Sequence, residues 1–448
     1  MQIYFVSLGC DKNLVDSEYM LGLLRDAGHM LTEDEAEADA IVINTCCFIH
    51  DAKEESIETI LEAASYKDEE VGNCRALIVT GCLAERYRSE IREFIPEVDA
   101  VLGTASFDEI VEVLKKAEAG EKPEIYKELT YLPLPGTKRV NTTCGYTAYL
   151  KIADGCEKFC TYCVIPSIRG KYRSVPMERI LAEAEQLAKD GAKELILVAQ
   201  ETTLYGVDLY GKKMLPELLK KLCAIEGPEW IRLLYCYPEE ITDELIAVMK
   251  EEKKICRYLD LPIQHASDTV LKRMGRRTTK KELVRLIKKL RRNLPGIALR
   301  TSLITGFPGE TEEEHKELLA FVEEVRFDRL GVFTYSKEEN TPAAKMKGQV
   351  PAKEKRRRQK EIMKLQQRIA FENAEGRIGK RYQALIEGKL PQDNVYLART
   401  YMDAPNIDGY LFVESGEHYE SGEFVKVKVT GAKGYDLVGV NTEKKKII

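Results

Sequence analysis

The chain has 448 residues, 44% of them hydrophobic and 32% charged, and this length is about three times that of a typical domain. Its formal net charge of −6 argues against a protein whose main task is to neutralise nucleic-acid backbone, and no DNA partner is expected. Because no stretch reaches the roughly 18 apolar residues of a membrane span and the first residues lack a signal-peptide pattern, the sequence predicts a cytoplasmic protein without a membrane partner.

The first part of the chain alternates short apolar runs with amphipathic stretches. Apolar runs at 3–8, 40–43 and 76–79 are each followed by helical periodicity, and a last run at 100–102 precedes a helix for which Ser106 is a plausible N-cap. This pattern predicts a flavodoxin-like α/β domain with a parallel sheet over residues 1–118. Residues 119–141 contain several prolines and show no regular period, which predicts a linker.

The alternation resumes at residue 149 and predicts a central domain over residues 142–374. Six apolar runs are separated by helical periodicity, and they lie at 149–152, 195–198, 231–234, 258–261, 299–303 and 330–333. Six strand-helix units with right-handed crossovers predict an open, partial (β/α)6 barrel, smaller than the eight-stranded TIM barrel. The last helix, predicted over 353–376, carries the basic run 355–358, for which a solvated helix face is the main interpretation and an RNA contact the alternative.

The chain after Gly379 changes to short alternating runs broken by Gly, Asn and Asp. These runs lie at 382–386, 410–413 and 424–429 and predict a small antiparallel, OB-like β-barrel over residues 375–444. From Lys380 onward there are ten basic and ten acidic residues, a balance that favours a protein partner over RNA.

Cys156, Cys160 and Cys163 form a Cys-x3-Cys-x2-Cys triplet directly after the first predicted strand of the central domain. Three thiolates on one loop can hold three irons of a 4Fe-4S cluster and leave the fourth iron free for S-adenosylmethionine (SAM). Loops at the C-terminal ends of barrel strands are also the usual place for an active site. The alternatives are coincidence and a zinc site, which would need a fourth Cys or His nearby.

A second set of cysteines shares a position in the first domain. Cys10, Cys46 and Cys82 each follow a predicted strand and are 36 residues apart. One strand-helix unit takes roughly 30 residues, so this spacing returns the chain to the same carboxyl edge, where ligands bind in open parallel sheets. These thiolates could hold a second cluster, and the alternative is that they are unrelated buried cysteines.

The other cysteines do not share these positions. Cys47 should point away from Cys46, and Cys74 precedes its strand. Cys223, Cys236 and Cys256 lie singly among apolar or helical residues, so they are interpreted as small buried hydrophobes.

A SAM site also needs contacts for its amino acid and nucleoside ends. Gln200 and Glu201 follow the second barrel strand, and Gly306 follows the fifth, on the edge that carries the triplet. A glycine there permits close backbone approach to the adenine. These residues are candidate SAM contacts, with loop formation as the alternative.

The two triplets and their surroundings resemble the radical SAM methylthiotransferases over essentially the whole chain. The branch that modifies an aspartate of small-subunit ribosomal protein twelve is the most similar, although Asp11 stands where proline is more usual. Four stretches carry this similarity, and the tRNA-modifying relatives differ there. The stretches are 7–18, 165–170, 333–339 and 399–405.

The resemblance implies an N-terminal methylthiotransferase domain, a radical SAM core and a C-terminal TRAM domain. It also implies that the cysteines bind two 4Fe-4S clusters: Cys10, Cys46 and Cys82 the auxiliary cluster, and Cys156, Cys160 and Cys163 the SAM-cleaving cluster. Gln200-Glu201 stands where many radical SAM enzymes have a Gly-Gly-Glu type motif.

The implied function is post-translational methylthiolation of the aspartate β-carbon of ribosomal protein twelve, with SAM as radical source and methyl donor. A low-potential electron donor and a sulfur donor are the expected further partners. One alternative is methylthiolation of the tRNA adenosine next to the anticodon, with the basic run 355–358 as an RNA contact. Another is a non-catalytic iron-sulfur or RNA-binding module, against which the two triplets argue.

Overall fold

A parallel sheet forms the N-terminal unit of the computed structural model, which describes residues 1–133, 136, 138–391 and 394–442. The sheet order is β2-β1-β3-β4-β5-β6, and all of its strand pairs are parallel. The strands are β1 (Gln2–Ser7), β2 (Met30–Leu31), β3 (Ala40–Thr45), β4 (Ala76–Gly81), β5 (Ala100–Leu102) and β6 (Glu124–Ile125), and the helices are α1 (Asp11–Asp26), α2 (His50–Ser65), α3 (Cys82–Tyr87), α4 (Glu90–Phe94) and α5 (Ile110–Glu118).

The predicted α/β architecture of this unit is confirmed, with three local differences. The single helix predicted after β4 is split into α3 and α4, because Arg88 adopts a positive φ of 44°. β6 lies inside the segment predicted as a linker and extends the sheet. Ser106 does not cap a helix, because its hydroxyl accepts a hydrogen bond from the Lys127 N–H and a 3-10 turn precedes α5.

The central unit is an open, partial barrel with the predicted six strands in the order β14-β13-β12-β11-β10-β7. All adjacent pairs are parallel, and in the described part of the chain the edge strands β7 and β14 do not pair with each other. The strands are β7 (Thr147–Lys151), β10 (Glu194–Val198), β11 (Trp230–Leu233), β12 (Ile255–Asp260), β13 (Ala298–Thr305) and β14 (Arg329–Thr334), and a short antiparallel ribbon of β8 (Ala153–Asp154) and β9 (Arg173–Ser174) follows β7.

Helices cover the outer face of this barrel. Two of them, α12 and α13, begin with capping boxes at Thr279 and Thr311, which fix the points where the chain leaves the loops. The helices are α6 (Ile165–Arg169), α7 (Met177–Lys189), α8 (Val207–Tyr210), α9 (Leu215–Cys223), α10 (Asp243–Glu251), α11 (Asp268–Arg273), α12 (Lys280–Asn293), α13 (Glu312–Val325) and α14 (Ala352–Glu375).

The basic run on α14 forms intramolecular contacts. Arg358 is buried against Glu310, with 3.1 Å between Nη1 and Oε1, and Arg357 pairs with Glu312, Glu354 and Glu361. Lys355 donates to the backbone carbonyl of Tyr335. The expectation of a solvated face is therefore wrong for Lys355 and Arg358, because both side chains anchor α14 on the end of the barrel.

The C-terminal unit is a closed five-stranded barrel in the order β15-β16-β17-β19-β18, as expected for an OB-like fold. Four of its pairs are antiparallel and the β17–β19 pair is parallel. Two strands, β16 and β19, have no counterpart among the predicted runs. The strands are β15 (Arg381–Lys389), β16 (Val395–Thr400), β17 (Leu411–Glu414), β18 (Phe424–Lys433) and β19 (Asp436–Asn441).

The inner face of the central barrel receives side chains from both neighbouring units. Met402 and Ala404 of the C-terminal unit and Val15 of α1 pack in one hydrophobic cluster with the barrel residues Tyr149 and Tyr258. Within the described residues, no helix is long and apolar enough to cross a membrane.

Candidate functional site

The cysteines of the N-terminal unit lie at the carboxyl ends of three neighbouring parallel strands. Cys10 immediately precedes α1, Cys46 directly follows β3, and Cys82 is the first residue of α3 after β4. Gly9 has a φ of 91° and packs so tightly that a Cβ would lie 2.7 Å from the Cβ of Cys46. The structure therefore places the three cysteines at one edge, as their spacing predicts.

Burial favours the protonated thiol at two cysteines of this triplet, Cys46 and Cys82. Desolvation raises the pKa of Cys82 to about 12, against the opposing charge of Arg169, and it also raises the pKa of Cys46. Cys10 is exposed. Iron binding would have to displace these protons, since the thiolate is the ligand form.

The second triplet lies on a loop at the C-terminal end of the barrel. The loop begins after the β8 strand and is closed by the β8–β9 ribbon and by a hydrogen bond from the Cys156 N–H to the Gly170 carbonyl. Burial raises the pKa of Cys156 to about 11 and raises that of Cys163 further. Phe159, between the first two cysteines, has a positive φ of 50° and is 63% exposed. The loop is thus folded with two cysteines buried and its tip toward solvent.

Two predicted SAM contacts present buried oxygens beside this loop. Among the described residues, Gln200 Oε1 and Glu201 Oε2 have no hydrogen-bond partner. Lys158, which lies between Cys156 and Cys160, pairs with Glu240 and has its Nζ 3.9 Å from Glu201 Oε2. Unsatisfied buried oxygens of this kind fit a cationic amino group.

Gly306, the third predicted SAM contact, lies in a loop held by Glu310. Glu310 Oε2 accepts hydrogen bonds from the N–H groups of Gly306 and Phe307. Burial opposes ionisation of Glu310, yet His265 and Arg358 lower its pKa below the ordinary value. A Cβ on Gly306 would lie 2.3 Å from Lys355 Cγ, so the lysine side chain fills the space beside this glycine. Its contact with adenine stays a prediction.

Helix α1 packs on the C-terminal ends of the barrel strands. Lys12 Nζ lies 3.3 Å from the ring centroid of Tyr235, which follows β11, and the Tyr235 hydroxyl donates to Asp11. Further along α1, Asp16 pairs with Lys151 of β7. The helix that starts after Cys10 is therefore fixed on the end of the barrel that carries Cys156.

Among the described residues, no three His, Cys, Asp or Glu side chains converge as a single metal ion would require. In a 4Fe-4S cluster each cysteine binds a different iron, so its thiolates need not meet at one point. Each triplet offers only cysteine sulfur atoms as ligands, and thiolate ligands suit iron-sulfur clusters.

Three family models match the chain, one for each structural unit. The Uncharacterized protein family UPF0004 matches residues 2–103, the Radical SAM superfamily matches residues 150–322, and the TRAM domain matches residues 378–441.

Full-length relatives identify the family. The chain is 66% identical over 439 residues to the ribosomal protein uS12 methylthiotransferase RimO of Lachnoclostridium phytofermentans, covering 98% of the chain and 99% of that protein. It is 52% identical over 441 residues to the protein of the same name from Clostridium botulinum (strain Hall), covering 98% of each. The chain belongs to the RimO-like methylthiotransferases.

Solved structures support the fold of this methylthiotransferase. The radical S-adenosylmethionine methyltransferase TsrM from Kitasatospora setae, solved with cobalamin and a [4Fe-4S] cluster, has a TM-score of 0.56 at 14% identity, covering 88% of this chain and 80% of that one. The predicted enzyme class, a radical SAM methylthiotransferase, is confirmed by the family, and the non-catalytic alternative is not favoured.

Two buried arginines of the methylthiotransferase contact the triplets, and neither contact was predicted from the sequence. Arg169 Nη2 lies 3.7 Å from Cys82 Sγ, and Arg276 Nη1 lies 4.0 Å from Cys160 Sγ. Arg276 also stacks 4.3 Å above the ring of Tyr237. Arg169 lies in the stretch 165–170, one of those that carry the family resemblance. This position was the feature of the sequence that could have indicated a functional role for Arg169.

Five of the cysteines outside the triplets are buried. Cys47 and Cys74 are buried in the hydrophobic core of the N-terminal unit. Cys223 and Cys236 are buried beneath the barrel helices, and Cys256 is in the barrel interior.

Proposed function

We propose that this methylthiotransferase attaches a methylthio group to the β-carbon of an aspartate in ribosomal protein uS12. The observation that supports the proposal is that α1, which begins directly after Cys10, is fixed on the end of the barrel that carries Cys156. The 66% identity to a uS12 methylthiotransferase supports uS12 as the substrate.

In this proposal each triplet holds one 4Fe-4S cluster, and SAM binds at the barrel triplet. Such a cluster with SAM supplies one-electron chemistry that can break an unreactive C–H bond, which side-chain acids and bases do poorly. Gln200 and Glu201 would receive the SAM amino group on their unpaired oxygens, and the Gly306 loop held by Glu310 would form the nucleoside side of the site.

The protein's further task is to hold the target carbon between the triplets and to exclude water. Four of the six cysteines are buried, with 6–8% exposure, so the reacting groups lie in a protected space. A low-potential electron donor and a sulfur donor must reach this space, and we place the post-translational reaction in the cytoplasm, where uS12 is made and assembled.

The substrate is tested by anaerobic reconstitution with iron and sulfide, followed by SAM, reductant and either uS12 or tRNA. We expect the mass of one methylthio group to appear on a uS12 peptide that contains the modified aspartate, while tRNA nucleosides stay unchanged. A methylthio nucleoside in tRNA together with unmodified uS12 would contradict the proposal.

The two-cluster assignment is tested by iron content. Two 4Fe-4S clusters correspond to about eight irons per chain, and replacing Cys10, Cys46 and Cys82 by alanine should leave about four. Cys47→Ala is the matched control, because Cys47 adjoins Cys46 and is fully buried but belongs to neither triplet, and it should keep about eight irons. Equal iron content in the triple variant and the parent protein would disprove the auxiliary cluster.

A further inference from the structure

We infer that Arg169 is a positioning residue of the auxiliary site, where it fixes Cys82 and raises the electron affinity of the cluster bound there. Arg169 ends the short helix α6, which follows Cys163 of the barrel triplet, yet its Nη2 lies 3.7 Å from the sulfur of Cys82 in the other triplet. One side chain therefore connects the two cysteine sets. This inference rests on the proposed function insofar as Cys10, Cys46 and Cys82 hold a cluster.

The guanidinium of Arg169 is fixed from three sides. Nη1 donates to Asp16 Oδ2 at 2.6 Å and to Asp154 Oδ2 at 3.3 Å, and Nη2 donates to Asn13 Oδ1 at 2.7 Å. The residue is 2% exposed, so water does not compete for these bonds. Because the arginine fork is planar and rigid, holding Nη1 on the two carboxylates aims Nη2 at the sulfur.

The residues that Arg169 joins are themselves adjacent to cluster ligands. Asp154 lies two residues before Cys156, and Asp16 lies on α1, which begins directly after Cys10. Ile168 of α6 and Val164, the residue before this helix, also pack into the hydrophobic cluster that includes Cys82. Arg169 thus sets the separation and orientation of the two ligand loops at the point where the domains meet.

Charge and hydrogen bonding give Arg169 an electronic role as well. Its N–H groups and its positive charge stabilise negative charge on the Cys82 sulfur, and this stabilisation is greater in the reduced cluster, which carries one more electron. Lys151 cannot take over this role, since its single nitrogen is engaged by Asp16 and Asp154. Loss of Arg169 should therefore lower the midpoint potential of the auxiliary cluster.

The experiment isolates the auxiliary cluster in the full-length chain by replacing Cys156, Cys160 and Cys163 with alanine. In this background, Arg169→Gln and Arg169→Lys are reconstituted and titrated under anaerobic conditions, with electron paramagnetic resonance as the readout. We expect a lower midpoint potential in both variants, because glutamine lacks the charge and the lysine nitrogen is drawn to the carboxylates. Arg276→Lys is the matched control, since Arg276 contacts Cys160 instead, and its auxiliary potential should equal that of the background.

The outcomes separate this inference from the proposed function. Absence of any cluster in the background protein would refute the auxiliary site itself. A cluster with the same potential in the background and in either Arg169 variant would overturn the role of Arg169 and leave the proposed function standing. If Arg169→Gln does not fold, Arg169→Lys decides alone, because it keeps a buried cation beside Asp16. A fall in potential with Arg276→Lys as large as with Arg169→Lys would also overturn the inference.

Discussion

Glu201 is a fully buried carboxyl group at the edge of the barrel, with one oxygen paired to Thr203 and the other without a hydrogen-bond partner among the described residues. Desolvation raises its pKa to about 7, although Thr203 and Lys158 favour the charged form. The nearby Glu240 carboxylate raises the pKa as well, but Lys158 is shared between the two acids. In the metal-free protein, burial therefore disfavours the ionised form of the Glu201 carboxyl group at neutral pH.

Replacing Glu201 with glutamine should stabilise the metal-free protein more at pH 8 than at pH 5. The folded-state pKa of about 7 exceeds the ordinary value of 4.5, so stability linked to this group is full below pH 4.5 and is lost as the pH rises through 7. The difference in unfolding free energy between Glu201→Gln and the parent protein should grow by up to ~3 kcal/mol across this range. Urea denaturation at several pH values measures it.

The exposed Glu226 provides the control for this measurement. Glu226→Gln should show little change in relative stability between pH 5 and pH 8, because an exposed carboxyl is solvated in both states. If Glu201→Gln has the same pH profile as Glu226→Gln, burial does not raise the pKa of Glu201 as described.

At the scale of elements, α14 lies along the open edge of the barrel and satisfies its backbone. The side chain of Gln366 donates to the Phe327 carbonyl at 2.9 Å, and that of Gln359 donates to the Val332 carbonyl at 2.7 Å. The side chain of Lys355 donates a hydrogen bond to the Tyr335 carbonyl. An uncovered edge strand would expose unpaired carbonyl groups, so the long polar face of this helix serves to cover β14.

Replacing Gln366 with alanine should cost about 2 kcal/mol of unfolding free energy, because it leaves the buried Phe327 carbonyl without its donor. The next residue, Gln367, is exposed, so Gln367→Ala should change stability by less than about 0.5 kcal/mol. Urea unfolding of the two variants gives the comparison. Equal effects would mean that the bond to Phe327 does not contribute to covering β14.

Elements with continuous apolar runs were predictable from the sequence, and elements defined by long-range contacts were not. The β3 and β4 strands are buried at every position, so their composition alone marks them. The β16 and β19 strands mix polar and apolar residues and depend on closure of the small barrel. Both cysteine sets could be located because parallel topology places strand ends at one edge, whereas the contact of Arg169 with Cys82 depends on how separate domains pack.

At the scale of the whole molecule, a buried charge network holds the C-terminal barrel against the central one. Arg399 Nη2 lies 2.7 Å from Glu194 Oε2, Arg232 Nε lies 2.7 Å from Glu194 Oε1, and all three side chains are fully buried. Arg399 also pairs with Glu387. Burial would raise the pKa of Glu194, but the two arginines hold it below its ordinary value. Glu194 thus stays charged at the junction.

Removing Arg399 should separate the C-terminal barrel from the rest of the protein before global unfolding. Arg399→Met leaves Glu194 paired with Arg232 alone and Glu387 with only the Tyr146 hydroxyl, and breaking a buried pair in this way typically costs 3–5 kcal/mol. Because the network is shielded from solvent, the loss should be nearly the same at low and high salt. Hydrogen exchange should accelerate first in β16 and in β10, which carry the two partners. Arg381→Met, at an exposed position of the same barrel, is the control, and an effect of Arg399→Met no larger than this control would show that the network does not secure the junction.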